Sequence, residues 1–168
     1  MAFRQPPTTA RRIGFEIDPP GEVTVQPSGS VVRCRQQAPS GAPIGELELE
    51  VFHAALVIDR DGILEEKVQA AITRAASPGA QVLQPVPIEI GGASGFRADA
   101  EPTRAIGSTD ARAPLPYVHV IALAPDDLGV DSGLLITVRS ASPTWPAAEK
   151  IVQSLRILSR RSTSANDR

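Results

Sequence analysis

Two apolar runs in close succession, followed by one short amphipathic segment, constrain this chain more than any other feature. Residues 117–123 and 134–138 are rich in β-branched and apolar side chains, among them Val118, Val120, Ile121, Ile136 and Val138, and a polar, glycine-bearing stretch separates them. Residues 144–157 then carry Ala148, Ile151, Val152 and Leu155 at helical spacing, the narrow apolar stripe of a helix laid on a sheet. The first run is apolar at both parities, as a strand covered on both faces should be. These spacings predict strands with a helix packed on them, and no reaction.

The rest of the chain reads the same way. Leu47, Leu49 and Val51 alternate strictly with Glu46, Glu48 and Glu50, which makes residues 45–53 a strand with one buried and one wet face. Residues 31–36 alternate as well. A hairpin about Ser40 and Gly41 sets Arg35 opposite Glu46 and Arg33 opposite Glu48 on the solvent side, and turns Cys34 inward with Val32. Asp59 is an N-cap, followed by Leu64, Val68, Ala71, Ile72 and Ala75 at helical spacing until Pro78 and Gly79 end the helix. Residues 81–90 supply a further strand, confined to an edge or interrupted by Pro85 and Pro87, with residues 95–100 as its partner. Hairpin-length connections between short segments predict an α+β class, a mainly antiparallel sheet with helices packed on it.

At 168 residues with 42% hydrophobic content the chain is the size of one domain. Residues 1–12 read as a flexible N-terminal tail, 13–158 as the domain and 159–168 as a disordered C-terminal tail. A net charge of -2 supplies no field for nucleic acid phosphates, so nucleic acid is an unexpected partner. The single cysteine allows no internal disulfide or thiol cluster, and a reducing compartment follows. With no apolar leader at the start and no run long enough for a membrane span, the expected location is cytoplasmic.

In sequence order there is an early strand before Pro19-Pro20-Gly21, a hairpin, a helix near position 65, a Gly-rich turn leading to Gly95-Phe96-Arg97, two long strands, then residues 145–157. That layout, over residues 13–158, resembles the Mog/PsbP-like superfamily. The resemblance implies an α/β/α sandwich around an antiparallel sheet and a non-catalytic binding role. Some members are bacterial secretion chaperones, and others include a Ran-binding factor, a photosystem subunit and lipoproteins. The chain lacks the transit peptide and lipobox cysteine of the latter two, and no residue of a Ran-binding surface carries over.

Chemistry-bearing residues are sparse. His53 and His119, the two imidazoles, each fall on a strand without HxH or HExxH spacing. Residues 126–133 are acidic but lack the ligand rhythm of an EF-hand, so a solvated turn is expected there. Residues 91–95 are glycine-rich, yet a strand follows where a phosphate cradle needs a helix. Ser94, Ser154 and Cys34 have no activating neighbours in sequence. The Glu46, Glu48 and Glu50 row is a solubilising face. Trp145 reads as a core cap.

The expected function is therefore a non-catalytic protein-interaction module, a secretion chaperone or adaptor, which binds another protein through a sheet face or a groove beside the last helix. Arg97, His119 and Trp145 are the candidate contacts, and no catalytic, metal or cofactor site is assigned. The alternative is a small-ligand binder or enzyme with a pocket around His53, His119 and Arg97. An exposed apolar groove favours the first reading, and a polar cleft with perturbed ionisable groups the second.

Overall fold

The computed structural model describes residues 1–8, 12–102, 115–126 and 131–159. In chain order the elements are β1 (Phe3–Gln5), β2 (Ile13–Ile17), β3 (Thr24–Ser28), β4 (Val31–Gln37), β5 (Pro43–His53), α1 (Arg60–Ala75), β6 (Gln81–Val82), β7 (Val86–Ile90), β8 (Ala93–Glu101), β9 (Tyr117–Pro125), β10 (Ser132–Ser140), α2 (Pro146–Ser154) and β11 (Arg156–Ser159). Strands β3-β4-β5-β10-β9-β8-β6 lie side by side in one sheet, with β7 also paired to β8. A second sheet has the order β1-β2-β11. Every pairing is antiparallel.

The large sheet follows the alternation in the sequence. Arg35 pairs with Glu46 and Arg33 with Glu48 in register, with Nε to carboxylate distances of 2.6 and 2.9 Å. Cys34, Val32, Leu47, Leu49 and Val51 are buried on the opposite face. Strand β9 lies between β8 and β10, and its residues 118 and 120–124 are all buried. Helix α1 is capped by the Asp59 carboxylate, which accepts from the Gly62 amide at 3.1 Å. Its Leu64, Val68 and Ile72 pack on Ala98, Ala100, Val118, Val120, Ala122 and Ala124.

The other face carries the main departures from the sequence reading. An α/β/α sandwich puts helices on both sides of the sheet. Here one side is covered by the three-stranded sheet together with α2, and strand accounts for 49% of the described residues against 18% for helix. The fold is thus β-rich rather than the sandwich expected. Two short strands made the difference. Residues 3–5, read as part of a tail, pair with β2 because Phe3 reaches Phe15, with ring centroids 6.3 Å apart. Residues 156–159, read as the end of the last helix and the start of a tail, leave it at Leu155, whose extended ψ of 131° starts β11. Residues 160–168 of the expected C-terminal tail lie outside the described residues, as do 9–11 of the N-terminal one.

Helix α2 crosses the large sheet obliquely. At its start the Trp145 ring lies on Gly45 of β5, so close that a Cβ there would strike the indole, and the indole Nε1 donates to Gln36 Oε1 at 2.7 Å. At its end the Leu155 carbonyl abuts Gly91, in the turn between β7 and β8. The end of β2 sits on one flank of the helix, where the Asp18 amide donates to Ser154 Oγ at 2.8 Å.

Two outer strands of the large sheet, β3 and β7, are blunted by proline. Gly91 and Gly92 both have positive φ, at 59° and 81°, the requirement of a two-residue type I′ turn. Counting from that turn, Pro87 opposes Phe96 at a pair that exchanges no ladder bonds, so its nitrogen faces outward. Pro27 has the same relation to Val32 across the Gly29-Ser30 turn. Proline there removes an outward donor and discourages edge-to-edge pairing.

Candidate functional site

Directly opposed residues of antiparallel strands share a face. Along one row of the large sheet the registers give Cys34, Leu47, Val138, His119 and Asp99. The neighbouring row is Val32, Leu49, Ile136, Ile121, Arg97 and Val86. Both rows begin in the core and become polar at β9 and β8. This is the corner that lies beyond α2.

A cleft of about 250 Å³ opens there between α2 and the sheet. Arg97, His119 and Ile121 lie on its sheet side, Trp145, Glu149, Val152 and Gln153 on its helix side, and Pro143, ahead of the helix, also lines it. The sequence candidates Arg97, His119 and Trp145 are therefore brought together. His53 is not. It pairs with Ser132 at one end of β10, while His119 pairs with Val138 six positions along the same strand, about 20 Å away. A pocket shared by both histidines and Arg97 is ruled out by that separation.

The electrostatics are asymmetric. Asp99 Oδ1 holds Arg97 Nε at 3.0 Å, and no hydrogen bond among the described residues reaches the two Nη nitrogens. Burial, and then the Arg97 charge, push the His119 imidazole down to about 4, against a smaller upward pull from Asp99. At neutral pH the ring is uncharged. Trp145 is only 4% exposed and its N–H is spent on Gln36, so it serves as a wall of the cleft and a cap of the core.

Two side chains that sequence reasoning passed over extend the site outward. Val86, 53% exposed, stands opposite Arg97 on the cleft face. Leu83, whose amide donates to the Asp99 carbonyl at 2.8 Å, is 39% exposed beside it. Asp99, Glu149 and Gln153 were missed too. Their proximity depends on the β8 register and the path of α2, and nothing in local sequence encodes either.

The remaining candidates lie elsewhere. The Glu46, Glu48 and Glu50 row faces away from the cleft, matched by Arg33 and Arg35, with Arg139 Nη1 4.0 Å from Glu46. Cys34 is buried and its thiol is pushed up to about 11 by burial, which leaves it inert. Ser94 accepts from Arg60 and donates to Asp126, and Ser154 donates to the Ile151 carbonyl, so both are structural. Gly91 and Gly92 form a hairpin turn. Of the acidic stretch, residues 127–130 lie outside the described residues, while Asp131 Oδ1 accepts from the Val57 amide at 3.2 Å. Among the described residues no three His, Cys, Asp or Glu side chains gather as metal ligands, and no helix is long and apolar enough to cross a membrane.

No protein-family model matches the chain, and no curated protein matches it. A solved structure from Bacteroides thetaiotaomicron VPI-5482 superposes with a TM-score of 0.46 at 9% identity, covering 88% of this chain and 46% of that one. The chain thus spans about half the length of this neighbour. So weak a likeness assigns neither fold family nor function. The Mog/PsbP-like resemblance gains no support from these comparisons.

Proposed function

We propose that this chain is a non-catalytic interaction module that holds part of another protein in the groove beside α2. The observation that supports the reading is the uncovered corner of the large sheet, where exposed Val86 and Leu83 adjoin a guanidinium with unspent donors. Between β4 and β5, by contrast, charge is neutralised in cross-strand pairs. An apolar strip leading to a polar anchor suits a peptide segment.

The polar character of the cleft also favours the second reading, a pocket for a small ligand. A catalytic version is weaker. The lining holds no hydroxyl, thiol or amine, and an imidazole at about 4 is a poor general base at neutral pH. A photo-crosslinking residue in place of Gln153, on the groove, and another in place of Glu50, on the opposite face, separate the possibilities in the native host. The expected result is a discrete protein adduct from position 153 that disappears with Arg97→Glu. An adduct from position 50 alone would place the interaction on the charged face and overturn the reading.

A further inference from the structure

Arg97 lines the cleft with an open donor edge. The Asp99 carboxylate holds Nε, so the fork is fixed in its plane while the Nη pair remains unbonded among the described residues. That is the edge of the guanidinium that takes a carboxylate through two parallel hydrogen bonds. The uncharged His119 ring lines the same cleft and offers a further donor. Ile121 lies beside them on the sheet, and Trp145 and Val152 face them from the helix side, so the site presents a carboxylate anchor and apolar walls in one cleft.

Size narrows the occupant. The cleft's volume of about 250 Å³ falls below the roughly 300 Å³ at which pockets for drug-sized ligands begin, and it suits one apolar residue with its carboxylate. From the Arg97 end, exposed Val86 and Leu83 continue the apolar strip toward the sheet edge, where preceding residues of a chain would lie. Resting on the interaction-module reading, we propose that the groove captures the free C-terminal carboxylate of a partner protein whose last residue is apolar. Asp99 already offsets the Arg97 charge and Glu149 adds a second carboxylate at the rim, so the ligand's carboxylate is held by the open Nη edge and not by a surplus of positive charge. Basic residues upstream of the terminus are therefore preferred over acidic ones.

The test uses two pools of short peptides, randomised except for an apolar last residue, one pool ending in a free carboxylate and the other in a carboxamide. N-acetyl-leucine represents a free small acid. Binding is read from the fluorescence of Trp145, the single tryptophan, and from amide shifts of cleft residues. The free-acid pool should bind about tenfold or more tightly than the carboxamide pool. Arg97→Gln should erase that difference and Arg97→Lys restore part of it. Equal binding of both pools at the cleft overturns the carboxylate assignment but leaves the groove reading standing. N-acetyl-leucine binding as tightly as the free-acid pool would make the ligand a free acid rather than a chain end. If neither pool moves a cleft residue, both readings fall.

Discussion

Acid should destabilise this protein through one side chain, His119. Its imidazole is held near 4 in the folded chain against an ordinary value of 6.5. The unfolded chain therefore binds a proton between those two values that the folded chain refuses. Stability from this group is complete above about pH 6.5 and is lost as pH falls toward about 4, with no further change below. The full difference corresponds to about 3 kcal/mol at 1.36 kcal/mol per pH unit, and partial solvent access to the ring reduces it to about 2. The charged groups that face the ring are Arg97 and Asp99 on β8 and Glu149 across the cleft on α2.

Urea titrations at about pH 7 and about pH 4.5 measure this, with His119→Gln as a non-titrating reference that cancels the common contribution of carboxylates. The natural chain should lose about 2 kcal/mol more than the variant between those conditions. An NMR titration of the His119 ring gives a second reading, because Arg97→Gln removes the second cause of the depression and should move the midpoint upward. Titration of His119 near its ordinary value in the folded chain would refute the reasoning, as would equal acid losses in the natural chain and His119→Gln.

Three further outcomes follow from the packing. Leu49→Ala should cost about 2–5 kcal/mol through cavity formation, and Glu48→Ala on the opposite face less than about 1 kcal/mol, as denaturant titrations would show. Phe3→Ala should cost about 1–2 kcal/mol and lower the melting temperature, because Phe3 packs on Phe15 of β2; an unchanged melt would mean that β1 does not dock in solution. Pro87→Val restores an outward donor on an exposed edge and should increase self-association relative to the natural chain, read by sedimentation velocity.

The sequence was most legible where period and burial agree. The strict alternation of Leu47, Leu49 and Val51 with glutamates fixed the buried face of β5, a hairpin centred on Ser40 and Gly41 set the β4–β5 register, and the double parity of residues 118–124 placed β9 inside the sheet. Three- and four-residue strands defeated the same logic. Phe3 to Gln5 is too short to show a period, and the helical spacing of α2 reads on past Ser154 although the chain turns extended at Leu155 and enters β11. Those two strands assemble around β2, and their pairing converts an expected helical layer into a sheet. At the site, residue types drew attention to Arg97, His119 and Trp145. Asp99, Glu149 and Val86 were invisible because contacts across β8 and α2 depend on long-range register.

The existence of the cleft is itself a consequence of unequal layers. Seven strand positions at about 4.8 Å span about 30 Å between the outermost strands. The covering layer is three short strands and one nine-residue helix laid obliquely from β5 to the β7–β8 turn, too little to cover the whole of that face. Helix α2 runs from Gly45 to Gly91 with β2 on one flank, so the bare corner falls on the other, over β8 and its edge partners. On the α1 side the matching uncovered region lies over β3, β4 and β5, where Arg33, Arg35, Glu46 and Glu48 pair with one another. The two bare regions have been resolved in different ways. One is closed by ion pairs between neighbouring strands, whereas the other keeps exposed Leu83 and Val86 and leaves the Arg97 fork half used. Exposed apolar surface next to unspent donors costs solubility and gains nothing for the fold, so its retention in that corner is an argument for binding there.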